Sequence, residues 1–160
     1  MDLAATAVVE SDLEAELLEA YPSLLRRLTL VMRDHAAAED LAQTTFARAL
    51  EHRARFHGGD ARAWLYTIGL RLAFNELGRK RPTVVLEPDD EPAWALAVEP
   101  DLWLALGQLD PHQRAAIVLN VLDGYTHAEI ARVFGVRTGT VSSWVSRGKE
   151  RLRLLLGDES

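Results

Sequence analysis

With 160 residues, 48% of them hydrophobic, and a formal net charge of -6, the chain has room for one medium domain or two small ones with real cores, which excludes a disordered tail. It contains no cysteine, so a disulfide framework, Cys-ligated zinc and a thiol nucleophile are excluded, and the composition suits a reducing compartment. There is no run of about 18 apolar residues and no basic-then-apolar leader, so neither a membrane span nor a signal peptide is expected and the cytoplasm is the default.

The distribution of charge says more than its sum. Arg48, Arg53, Arg55, Arg62, Arg71, Arg79, Lys80 and Arg81 form one basic group, and Arg137, Arg147, Lys149, Arg151 and Arg153 form another. Carboxylates gather at the N-terminus and in the middle. Non-specific affinity for nucleic acid comes mostly from Lys and Arg displacing counterions at phosphates. The segregation therefore suggests two nucleic-acid surfaces separated by a segment that is not one.

In chain order, residues 1–9 show no clear period and are expected to fray. Ser11 with Glu14 reads as a capping box opening a helix with Leu13, Leu17 and Leu18 on its apolar side. Pro22 should kink or restart that helix, because proline lacks the N–H; Leu24, Leu25, Leu28 and Val31 continue it to about Arg33. After Asp34-His35, residues Ala38, Leu41, Ala42, Thr45, Phe46, Ala49 and Leu50 keep i, i+3, i+4 spacing, the mark of an amphipathic helix. Its other side shows Glu39, Asp40, Gln43, Thr44 and Arg48, either a solvated face or a docking face.

Gly58-Gly59 ends that run, and Asp60 is the expected N-cap of a helix from Ala61 to about Arg79. Trp64, Leu65, Tyr66, Ile68, Leu70, Leu72, Phe74 and Leu77 spread around this cylinder. It is thus either a core helix with a basic end or a helix that exposes aromatic surface beside Arg62, Arg71, Arg79 and Lys80, as single-stranded nucleic acid favours. Residues 82–101, PTVVLEPDDEPAWALAVEPD, hold most of the prolines, several carboxylates and no basic residue. They read as an acidic linker, extended in the proline-bearing parts with one helical stretch around Ala93 to Val98.

A second unit opens with a short helix around Leu102 to Leu106, and Asp110-Pro111 sets a cap and first turn for the next. Thr126 with Glu129 is a further capping box; Ile130, Val133 and Phe134 follow, and Gly135 stands where a left-handed residue stops a helix. From about Thr138 to Leu156, at about 100° per residue, Val141, Val145, Gly148, Leu152 and Leu155 share one side. Gly148 should admit a neighbouring backbone. Ser142, Ser143, Ser146, Arg147, Glu150 and Arg153 take the other side. Two short helices around a tight turn with that polarity read as a helix-turn-helix, whose second helix meets base edges; a helical hairpin with a solvated face is the bland alternative.

The segment LDPHQRAAIVLNVLDGYTHAEIARVFGVRTGTVSSWVSRGKERLRLLL resembles region 4 of bacterial sigma factors of the extracytoplasmic-function (ECF) group, within the sigma-70 family. AEDLAQTTFARAL and FHGGDARAWLYTIGLRLAFNELGRKR resemble their region 2. The resemblance covers residues from about 12 to 156. It implies an all-α protein of two small helical domains, residues 10–81 (region 2) and 102–157 (region 4), joined by the acidic linker 82–101. The implied function is to bind core RNA polymerase and to recognise and open promoters.

By the same resemblance, Asp40, Gln43 and Thr44, with Glu39 beside them, match the surface that docks on the β′ clamp helices. Phe56, His57, Gly58, Asp60 and Arg62 fall in the loop that captures a base of the -10 element. Trp64, Arg71, Asn75 and Arg79 lie along its melting and reading helix. Arg137, Thr138, Thr140, Ser142, Ser143, Ser146, Arg147 and Lys149 match positions facing the -35 groove or its phosphates. The implied partners are core polymerase (β′ clamp helices and β flap), promoter DNA and an anti-sigma or other regulatory protein, with no membrane insertion. Ser142 and Trp144 stand where Lys or Arg is usual, and Arg71 and Asn75 where Asn and Asp are common. The surface is therefore carried over and the promoter sequence is not, and Trp144 is expected to pack.

No catalytic constellation is legible. His35, His52, His57, His112 and His127 are scattered without a second ligand at metal spacing, the serines have no His base nearby in sequence, and the glycines form no phosphate loop. Neither enzyme activity nor a cofactor is expected. The alternative function is a free-standing helix-turn-helix regulator whose N-terminal half dimerises or senses a ligand. That reading leaves the basic-aromatic block and the acidic linker unexplained.

Overall fold

Among the described residues, three α-helices build the first half and four the second. The computed structural model describes residues 3–79 and 99–157, and every regular element among them is helical. In chain order these are α1 (Leu3–Met32), α2 (His35–Glu51), a short 3-10 turn (Arg53–Arg55), α3 (Ala61–Leu77), α4 (Pro100–Gly107), α5 (Pro111–Ile117), α6 (His127–Phe134) and α7 (Thr138–Leu156). α5 runs on as a π turn over Val118–Leu122.

Two expectations for the first helix are corrected. α1 begins at Leu3, so residues 3–9 are helical and Ser11 lies inside the helix. The good helix formers Ala4, Ala5 and Ala7 extend it upstream of the box. Nor does Pro22 restart the chain: α1 passes through it. Proline costs a helix the bond to the residue four back, here Leu18, and both Pro22 and Leu18 are exposed, so water can satisfy the freed carbonyl. α1 ends where Arg33 takes a left-handed conformation (φ 56°).

α1, α2 and α3 pack as a bundle around Leu17, Leu24, Leu28, Ala38, Ala42, Leu65 and Leu70. Asp34 caps α2 by accepting from the Ala37 N–H (3.1 Å), and Asp60 caps α3 by accepting from Arg62 and Ala63 (3.0 and 3.2 Å). In the second half, α5 and α6 both pack on α7 around Ile117, Val118, Ile130, Val141 and Val145. Thr126 and Glu129 close the capping box of α6, and Gly135 ends it in the left-handed conformation (φ 68°). Gly148 admits mainly a side chain: a Cβ there would lie 2.7 Å from Ile117 Cγ1, while the Gln113 carbonyl oxygen is 3.7 Å away. The expected linker lies outside the described residues, its helical stretch around 93–98 included, except that its last residues, Pro100 and Asp101, already belong to α4.

The halves share one continuous apolar core, with α1 and α3 meeting α5 and α6. At this seam the buried Arg114 donates to the Val31 carbonyl at the end of α1 (2.8 Å) and, more weakly, to the carbonyls of Leu106 and Leu109 (3.5 and 3.4 Å). Arg33 lies 4.1 Å from the Trp103 ring. Phe74 of α3 stacks on Phe134 of α6 (4.5 Å, 16°) and meets the edge of His112. Arg27 pairs with Asp123.

Candidate nucleic-acid and partner interface

The face that α7 offers to solvent follows from what it buries. Val141, Val145 and Gly148 turn inward, leaving Arg137, Thr138, Thr140, Ser146, Arg147 and Lys149 exposed and Ser142 and Ser143 partly so. The expected -35 residues thus lie along one helix, open to solvent. Trp144 packs: its ring stacks on His112 (5.3 Å, 16°) and leans towards Phe74. Ser142 donates to the Thr138 carbonyl (3.1 Å) and lies 2.8 Å from His127 Nδ1.

In the first half the expected -10 residues divide into two groups. Phe56 and Trp64 are half-buried and in contact (5.4 Å between rings), beside the exposed His57, Gly58, Asp60 and Arg62. Gly58 and Gly59 both have φ near +90° (92° and 91°), a turn that side-chain-bearing residues rarely adopt. Asp60 is committed to capping α3, and Arg62 bonds to the Tyr66 hydroxyl (3.2 Å). The second group is exposed further along the chain, Arg71 and Asn75 on α3 and Arg79 in the turn just after it. Arg71, however, donates to the Val133 carbonyl of α6 (3.2 Å), so one of the cations expected at the -10 element is held by the other half of the chain. Most of α3 is core, with Leu65, Tyr66, Gly69, Leu70, Ala73 and Leu77 buried.

On α2, Glu39, Asp40, Gln43 and Thr44 are all exposed while Ala38, Ala42, Thr45 and Ala49 are buried, a clean division into an inner and an outer face. A further surface has little sequence signal. A groove of ≈ 460 Å³ lies between α4, the π turn and the end of α7, lined by Leu102, Leu106, Val121, Leu122, Leu152 and Leu156 with Lys149 and Arg153 at its side. The π turn inserts one extra residue per turn; within it Val118 and Leu119 remain buried while Val121 and Leu122 come out 55% and 46% exposed. No helix of the described residues is long and apolar enough to cross a membrane.

The seam is electrostatically uneven. Burial pushes the Asp123 carboxyl up, against the opposing pull of Arg27. Asp123 Oδ2 and Arg27 Nε are both buried without a partner. An ion pair left this incomplete holds weakly, because lost hydration is not replaced. Burial, and Arg33 beside it, lower Arg114 to about 10.

A helix-turn-helix with an open second helix, set beside a basic-aromatic surface, defines the class: an all-helical DNA-binding protein. Models of sigma-70 region 2 and sigma-70 region 4 match residues 17–83 and 101–152. The RNA polymerase sigma factor CarQ of Myxococcus xanthus is 33% identical over 141 residues, covering 82% of this chain and 81% of that protein. The ECF RNA polymerase sigma factor EcfG of Rhodopseudomonas palustris (strain TIE-1) is 34% identical over 155 residues, covering 90% and 84%. The sigma factor RpoE from Bartonella quintana, solved in complex with the anti-sigma factor NepR, superposes with a TM-score of 0.68 at 29% identity over 93% of this chain and 99% of that one. The chain belongs to the sigma-70 family of RNA polymerase sigma factors, in its ECF group.

Proposed function

We infer that the chain is a dissociable subunit that joins core RNA polymerase in the cytoplasm, reads the -35 element through α7 and the -10 element through the Phe56–Trp64 corner and α3, and leaves the bond-making to the polymerase. The observation that carries this reading is the uncovered outer face of α7, where Arg137, Thr140, Ser146 and Arg147 stand in solvent. The outer face of α2 supports docking on the β′ clamp helices through Asp40, Gln43 and Thr44. The apolar groove beside α7 suits an apolar element of the β flap. A regulatory partner enters by analogy with the RpoE–NepR complex.

The domains 10–81 and 102–157 are units that must separate for this function. The two promoter elements lie about 25 base pairs apart, roughly 85 Å at about 3.4 Å per pair. α3 and α6, in contact here, cannot serve both elements at once. Promoter engagement therefore parts the seam, and the linker 82–101, which reaches about 70 Å at full extension, covers the gap together with the breadth of the two units. The test is run-off transcription: the purified chain should bind duplex promoter weakly alone and direct specific initiation once mixed with core polymerase. Tight specific binding without polymerase would instead favour a free-standing regulator.

A further inference from the structure

α7 carries Ser142 at a position where a long cation is usual in the family, and the residue that fills the space comes from another helix. His127, the first residue of α6, brings Nδ1 to 2.8 Å from Ser142 Oγ. Its other ring nitrogen, Nε2, bonds to no described residue, and the side chain is partly exposed. Of the backbone N–H groups at the start of α6, the capping box takes those of Thr126 and Glu129 and leaves those of His127 and Ala128, so an anion placed there meets these as well as the ring. In docked helix-turn-helix modules the first helix crosses the backbone while the second enters the groove.

We propose that His127 is a further DNA-contacting residue of the -35 module, donating from Nε2 to a backbone phosphate beside the groove that α7 enters. Ser142 makes this possible through its hydroxyl, which both donates and accepts. When Ser142 donates to Nδ1, the neutral ring carries its proton on Nε2, facing outward; a phosphate oxygen selects that form, since it only accepts. Giving up the bond to the Thr138 carbonyl is cheap, because that carbonyl lies inside α7 and has a helical partner. The imidazole is thereby braced on α7 while its free N–H points away from it. Ser142 acts as a positioning residue rather than as a base reader.

This inference rests on the promoter-binding reading, and its test separates the two. Holoenzyme assembled from core polymerase and full chain is titrated against labelled promoter duplexes carrying a panel of -35 sequences. If wild type shows no -35 dependence, the reading itself fails and His127 is not at issue. Given that dependence, two isosteric halves of the ring are compared. H127N keeps an amide at the Nδ1 position and lacks the outer group, whereas H127Q places its amide near Nε2. We expect H127A and H127N to weaken binding about 3- to 10-fold, uniformly across the panel because phosphate carries no sequence, and H127Q to stay within about 2-fold of wild type. Circular dichroism checks that α6 is retained. The proposal is overturned if H127N matches wild type while H127A does not, which would make His127 a mere prop for Ser142, or if all three match wild type.

Discussion

Arg114 ties the two halves together at a cost, and replacing it separates the cost from the benefit. Burial and the neighbouring Arg33 lower its guanidinium to about 10. From the ordinary arginine value, at about 1.36 kcal/mol per unit, holding the charge inside costs about 3 kcal/mol at neutral pH. Against this stand one short charged bond to Val31, of about 1.5–3 kcal/mol, and two long ones to Leu106 and Leu109 of less than about 1 kcal/mol each. R114M removes charge and bonds together, so its urea-unfolding stability should lie within about 2 kcal/mol of wild type. R114K keeps the buried charge with a shorter reach and no planar fork, so it should lose about 2–4 kcal/mol. A cation whose folded value is depressed penalises the fold while it is charged. The stability of wild type relative to R114M should therefore rise as pH climbs through about 10. Lysine proving better tolerated than methionine, or a wild-type advantage that shrinks on alkalinisation, would refute this reasoning.

Three further outcomes are expected. G148A should lose about 1–3 kcal/mol in thermal or urea unfolding, because its Cβ would press on Cγ1 of the buried Ile117 at 2.7 Å; an unchanged stability would show that Ile117 gives way freely. D40A with Q43A should weaken capture by core polymerase while leaving the melting temperature unchanged, since both side chains are exposed; unaltered capture removes them from the interface. R147A should cost about 1–3 kcal/mol of -35-dependent binding, at one base pair if it reads a base and evenly if it meets phosphate; transcription insensitive to it would exclude both roles.

Local patterns carried most of the fold. The caps at Asp60 and Thr126, the stop at Gly135 and the inward stripe Val141–Val145–Gly148 stand where the sequence puts them. The start of α1 and the passage through Pro22 were marked wrongly, because a capping box and a proline are local rules that propensity and tertiary packing outvote; so were the neighbour at Gly148, a side chain and not a backbone, and the end of the linker, whose last two residues open α4. The seam left almost no trace. Arg114 and Val31 are far apart in the chain, and a single arginine in an apolar stretch announces a burial without naming its acceptor. One hint was present: α3 is apolar all round, which a helix needs when it is packed by its own bundle on one side and by α6 on another. The His127–Ser142 bond and the groove behind the π turn were likewise beyond pattern reading. One depends on how two helices cross, the other on an irregular turn that shifts which residues face out.

Because the chain has no cysteine, two introduced ones carry labels uniquely, and the exposed Glu19 of α1 and Gln108 after α4 suit them. Energy transfer between E19C and Q108C tests directly whether the halves are closed when free and parted at work. The free chain should give one short-distance population. With core polymerase and promoter that population should give way to one longer by several tens of ångströms, as the roughly 85 Å between elements demands. An unchanged distance in a complex that is actively transcribing would contradict the account.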